Sequence, residues 1–305
     1  MQVQNSENTF AQDALTPMAH PPKEDEGLPI TKKDVYTLLL IVMLSICQGI
    51  TLGFCIQSML LILAERGIDY ATVGVLLLVK APISFKFVFA PLSDSYYIKR
   101  LGRRKTYLLP AEIILGMIFM YLSYEIDDLV NNVKIPVIFG LCFTMVLLIA
   151  IHNVAERGLT IHYQGNRHHS LAAASQLCGN IIGIVCSFFV LVPLSSPKFC
   201  REHLGTQAEL IPLWMFMMAF AFIIWGVALC VFFYVEENED HEDIEKLDYI
   251  TIVKMFRGFY ENRYLRRYLL IVLFFKVGYA PVTAIFEVVL VQKGFAKETL
   301  TLIIS

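Results

Sequence analysis

Charge is scarce in this sequence, and that scarcity excludes most soluble folds. Of 305 residues, 17% are charged and 56% hydrophobic, and the mean hydropathy is +0.60. A soluble domain carries roughly 25% charged and about 45–50% apolar residues. Catalytic signatures are missing too: there is no Gly-x-Ser-x-Gly, no His-Glu-x-x-His and no glycine-rich phosphate loop. No nucleophile–base pair stands out, so no enzyme is indicated. The 7 cysteines show no Cys-x-x-Cys or Cys/His spacing. Cys47, Cys55, Cys142, Cys178, Cys186 and Cys230 fall in apolar runs, where a thiol behaves as a small hydrophobe; Cys200 falls in a loop. No metal, cofactor, disulfide framework or nucleic-acid partner is expected.

What the chain does have is long apolar runs. A helix crossing a bilayer needs roughly 20 apolar residues, and runs of that order lie at 36–63, 71–92, 106–124, 135–155, 171–194, 212–235 and 268–291. The expected fold class is all-α, a polytopic transmembrane helical bundle embedded in the lipid bilayer. Residues 1–35 read as a disordered cytoplasmic tail: they are polar, with proline and acid, and lack the apolar core and cleavage site of a leader. Residues 36–235 read as a six-helix bundle. Residues 236–267 read as a cytoplasmic linker with an acidic start and an amphipathic helix carrying Tyr249, Ile252, Val253, Phe256 and Tyr260. Residues 268–305 read as a seventh helix, a polar turn and the first turns of an eighth, so a second half is either missing or supplied by another chain, in a homodimer for instance.

Basic residues are unevenly shared between the loops. One side holds Lys23, Lys32, Lys33, the cluster Lys99, Arg100, Arg103, Arg104 and Lys105, then Arg157 and Arg167, and six more between Lys246 and Arg267. The other side, up to the seventh run, holds only Arg66, Lys134, Lys198 and Arg201. The positive-inside bias therefore puts the N-terminus in the cytosol. A seven-helix receptor would have it outside.

Ionisable groups inside a bilayer cost about 2.5–3.5 kcal/mol each on insertion scales, so those present call for partners or water. Lys80 and Lys86 lie in the second run, Lys276 and Glu287 in the seventh, and His152, Asn153, Glu156 and Arg157 near the end of the fourth. Gln48, Gln176 and Asn180 add hydrogen-bonding capacity. Three readings stay open: lysines that snorkel to an interface, a structural latch through Glu156 and Arg157, and a cationic cavity in which Lys86 and Lys276 hold phosphate. Small residues form stripes at Ser45, Gly49 and Gly53, and again at Ser175, Gly179, Gly183 and Ser187, which let helix backbones approach closely. The start of the seventh run repeats the order of the first, a helix, a short polar turn with glycine and a new helix, as internal repeats of transporters do.

The most specific string is Ala90-Pro91-Leu92, Asp94, Tyr97, Lys99 and Gly102-Arg103-Arg104-Lys105. Its Asp, Gly and basic cluster have the composition of the loop between helices 2 and 3 of major facilitator transporters, and the whole string resembles the acetyl-coenzyme A transporter family. Further matches run from about Leu44 onward: Gln48-Gly49-Ile50-x-Leu52-Gly53, then Pro82, Ser84 and Lys86, then Ile114-Leu115-Gly116 with Tyr121-Leu122-Ser123. Phe199-Cys200 with Leu204, Lys276-x-Gly278, Gly294, Lys297-Glu298 and Leu300 continue the register. The resemblance implies a major facilitator carrier that moves acetyl-CoA from cytosol to endoplasmic reticulum lumen by alternating access. It marks Lys86, Lys276, Gln48, Gln176 and Asn180 as substrate-binding candidates and Asp94 with Gly102–Lys105 as a gating loop. Departures fall at His152-Asn153-Val154-Ala155-Glu156-Arg157-Gly158, where the family has Gln-Asp-Ile-Ala-Val-Asp-Gly, and at Thr283, where it has Asp. Glu156, Arg157 and Glu287 are then the coupling candidates. Alternative readings are a carrier of another anionic solute and a non-transporting membrane interaction protein.

Overall fold

A computed structural model describes residues 31–86, 89, 97–98, 101–164, 169–201, 205, 209–235 and 263–293. These are helical throughout, with no strand among them. Residues 1–30 of the N-terminal tail, most of the 90–100 turn with Asp94, the amphipathic part of the 236–267 linker and the expected eighth helix lie outside the described residues; Lys32–Val35, read as the end of the tail, belong to the first helix.

Helix α1 runs through Lys32–Leu52, a π-helical stretch Gly53–Ser58 and Met59–Glu65. Its start is fixed by a reciprocal box in which the Thr31 N–H donates to Asp34 Oδ2 at 2.8 Å. Its end is fixed by Gly67, whose φ of 77° lies in the left-handed region that glycine enters without strain. Helix α2 comprises Tyr70–Leu77, a 3-10 turn Leu78–Lys80 and Ala81–Ser84. Thr72 donates its hydroxyl to Asp69 at the head of α2 and holds that carboxyl below the usual range. The apolar run 71–92 does not by itself announce the tightened turn in α2. Pro82 causes it, because its ring excludes the carbonyl one turn earlier from a regular bond.

Helices α3 (Lys105–Asn131) and α4 (Ile135–Gln164) follow, then α5, which runs His169–Ile184, a second π-helical stretch Val185–Val190 and Leu191–Leu194. Helix α6 is Leu213–Tyr234 and α7 is Arg263–Gln292. Most outlast the apolar runs that announce them: α3 extends to Asn131 and α4 to Gln164. Hydropathy marks the part of a helix that sits in hydrocarbon, whereas the helix continues until a glycine, a proline or a cap stops it. Among the described residues five helices are long and apolar enough to cross a membrane, and Ala71–Ser84 is a shorter apolar helix.

The helices pair chiefly α1 with α5 and α3 with α6, and α4 packs on α3, α1 and α2. Helix α7 meets α1 and α2 at Met59–Glu65 and Tyr70–Leu77. Two packing modes hold the bundle. The α1–α5 seam is made of backbone: a Cβ at Gly183 would lie 2.3 Å from the Ile46 carbonyl oxygen, and one at Gly179 would lie 2.4 Å from that of Val42. With no hydrophobic drive between helices in lipid, such close approach supplies the contact energy. The two π-helical stretches touch at this seam, where Ser58 Oγ donates to the Ser187 carbonyl. The α1–α3–α6 junction is aromatic instead: Phe119 lies 5.7 Å from Phe54 and 5.9 Å from Phe220, ring centre to ring centre.

Candidate functional site

Near the end of the bundle that carries Arg103–Lys105, two polar assemblies share two turns of α4. The first is cationic and lies between α2 and α4. Lys86 is half-buried, and its Nζ sits 3.4 Å from Asn153 Oδ1. Arg157, one turn beyond Asn153 and exposed, lies close enough for its charge to act on Lys86. Two like charges brought together on a partly desolvated face attract anions.

The second assembly is fully buried, between α1, α3 and α4. His152 Nε2 lies 2.8 Å from Glu112 Oε1, and neither side chain is accessible to solvent. Ser45 on α1 donates to Glu156 Oε1 at 2.5 Å. His152 Nδ1 and Glu156 Oε2 are 3.9 Å apart, one helical turn from each other. Glu112 Oε2 and His152 Nδ1 have no hydrogen-bond partner. Glu112 is the one acid between positions 106 and 124, and it is absent from the candidates drawn from the sequence. A lone carboxylate in an apolar run was the available signal.

The remaining candidates are placed as follows. Gln48 and Asn180 meet across the α1–α5 seam, Asn180 Nδ2 donating to Gln48 Oε1 at 3.2 Å. Gln176 reaches α4, where it donates to Thr160 Oγ1 at 3.2 Å. Gly102 has φ 88° and lets the chain turn into α3. Beyond it, the Arg104 guanidinium rests on Gly158, in the space that any side chain at 158 would need. Lys105 Nζ donates to the Phe232 carbonyl at 3.0 Å and so ties this end of α3 to α6. Lys276 and Glu287 belong to α7, but their side chains lie outside the described residues. Glu156 and Arg157, adjacent in sequence, are separated in space: the acid enters the buried assembly and the base stays on the exposed face. At the opposite end a cavity of about 490 Å³ is lined by three acids, Glu65, Asp127 and Glu209, and one base, Arg66, among others.

An all-helical arrangement of the described residues, with several apolar helices long enough to span a bilayer and polar groups gathered between them, defines a multi-pass helical membrane protein. Residues 37–262 match the family model described as Acetyl-coenzyme A transporter 1. The chain belongs to this acetyl-coenzyme A transporter family. An uncharacterised protein of Schizosaccharomyces pombe is 23% identical over 281 residues, which cover 90% of this chain and 53% of that protein. An uncharacterised membrane protein of Saccharomyces cerevisiae is 26% identical over 204 residues, covering 60% of this chain and 36% of its own length. A Rickettsia conorii protein named as a candidate transporter, AmpG 4, is 24% identical over 88% of this chain and 63% of its own. The chain thus spans about half the length of the curated relatives it matches. No solved structure matches it significantly.

Proposed function

We propose that this chain carries acetyl-CoA across the endoplasmic reticulum membrane by alternating access, with its N-terminus and the basic 97–105 end in the cytosol. The observation that supports this most is the cationic face formed by Lys86, Asn153 and Arg157. Acetyl-CoA is a polyanion. An ammonium serves as a point charge for phosphate, and a guanidinium adds paired donors. Lys276 on α7 is the matching charge from the other half of the carrier, on the far side of the site. Gln48, Asn180 and Gln176 bind the polar groups of the solute when the α1–α5 seam opens. Asp94 and Gly102–Lys105 form the gate.

The test is uptake of labelled acetyl-CoA into vesicles holding the chain, beside Lys86→Ala, Arg157→Ala and Lys276→Ala. Each substitution is expected to raise KM about tenfold, the roughly 1.4 kcal/mol that a phosphate contact keeps after screening. Saturable uptake that the three variants leave unchanged would refute the site. Uptake of other organic anions in preference to acetyl-CoA would refute the solute. A glycosylation tag at the N-terminus, unmodified in cells, checks the orientation.

A further inference from the structure

The buried assembly is not needed to hold an anion, and its sign is wrong for that task. It contains two carboxylates, Glu112 and Glu156, and one imidazole, His152, all at most 1% exposed. With every group deprotonated it carries two negative charges and no fixed positive one. Unpaired charge of one sign is costly deep inside a bundle. The hydrogen bonds are also incomplete. Glu112 Oε2 and His152 Nδ1 are buried, without partners, and belong to the same chain of contacts.

We propose that Glu112, His152 and Glu156, steadied by Ser45, form a buried proton-binding site between α1, α3 and α4 through which solute movement is coupled to protons. A proton enters on Glu156 Oε2. The 3.9 Å separation from His152 Nδ1 is about 1 Å beyond hydrogen-bond reach, and a side-chain rotation within one turn of α4 closes it. The acid then protonates Nδ1 while the Nε2 proton passes to Glu112 Oε1. Glu156 returns to carboxylate, Glu112 becomes the neutral acid and the imidazole changes tautomer, so one proton has crossed from α4 to α3.

The surroundings isolate this path. From α1, the Cys47 thiol faces both carboxylates. From α4 itself, Arg157 acts on Glu156, and Lys86 of α2 faces Arg157. Arg104 rests on Gly158 two residues further along α4. Helix α5 contributes the neutral Gln176, bonded to Thr160, whose hydroxyl donates to the Glu156 backbone carbonyl. Helix α6, packed on α3, carries no Asp, Glu, His, Lys or Arg.

The coupling rests on the anion-carrier reading above, while the proton site stands without it. His152 and Glu156 occupy the same two turns as Asn153 and Arg157. An anion seated on Lys86 and Arg157 adds negative charge beside Glu156, so solute and proton bind together and move in the same direction.

The experiment has two arms. In vesicles, one proton per solute converts a gradient of about one pH unit into about tenfold accumulation of labelled acetyl-CoA. Glu112→Gln and Glu156→Gln should abolish the response to the gradient. Wild-type uptake indifferent to the gradient overturns the coupling. In the second arm, pH-difference infrared spectra of the purified chain should show a buried carboxyl band together with imidazole ring changes. Each Gln variant should remove the band, and Ser45→Ala, which deletes only the hydroxyl on Glu156, should move its titration midpoint. Absence of the band in the wild type, or its persistence in both Gln variants, overturns the proton site. A band without acetyl-CoA uptake at any pH upholds the proton site and refutes only the solute.

Discussion

Gly183→Ala tests the packing of the α1–α5 seam, whose opening frees Gln48 and Asn180 for the solute in the proposed function. The added methyl would lie 2.3 Å from the Ile46 carbonyl oxygen, 2.6 Å from the Ile50 nitrogen and 2.8 Å from the Gly49 carbonyl carbon. All three neighbours are backbone and none can rotate away, so α1 and α5 must part by roughly 1 Å to restore ordinary contact. Overpacking of this kind costs about 1–3 kcal/mol. It works against the gain of about 0.8–1 kcal/mol that replacing a helical glycine by alanine ordinarily brings. Gly226 on α6 is the matched control, since a Cβ there meets nothing within 4 Å. The intrinsic gain is common to both sites, so their difference isolates the clash. At about 2–4 °C per kcal/mol for a chain of this order, Gly183→Ala should melt roughly 2–12 °C below Gly226→Ala. The assay is thermal unfolding in detergent followed by size-exclusion chromatography. A Gly183→Ala protein as stable as Gly226→Ala would refute the backbone-to-backbone seam.

Two further outcomes check other parts of the bundle. The bond between Asn180 and Gln48 should show a coupling of about 0.6 kcal/mol in a double-mutant cycle with Gln48→Leu and Asn180→Leu, the average for hydrogen bonds between membrane helices; additive effects would mean that the pair does not form. Val133, with φ 47°, holds a left-handed conformation that a β-branched residue adopts only under strain. Val133→Asn should therefore raise stability by about 1 kcal/mol in the same melting assay, and a loss would show that packing outweighs strain there.

Much of the helical layout was legible because hydropathy is a local property. The runs 36–63, 171–194 and 212–235 correspond closely to α1, α5 and α6. The glycine stripes were legible as faces of close approach, since positions four apart share one side of a helix. That the two stripes meet each other was not legible, because nothing at Gly49 names Gly183 as its neighbour. The lapse at Glu112 has the same origin: its partner lies 40 positions away, on another helix. Glu156 and Arg157 show the converse, being neighbours in sequence that the helical rotation of about 100° per residue sends to different surroundings.

Residue by residue, then, the sequence determined that this chain is a helical membrane protein, where its helices run and which family it belongs to. Each of these follows from runs and motifs along the chain, and the free energy of burying an apolar run in lipid needs no partner. Only the tertiary structure decided that His152 joins Glu112, that Ser45 reaches Glu156, and that Lys86 faces Asn153 on the other side of the same turns. Those pairings depend on which helices adjoin and how each is rotated. In lipid these are settled by shape and hydrogen bonding between surfaces far apart in sequence.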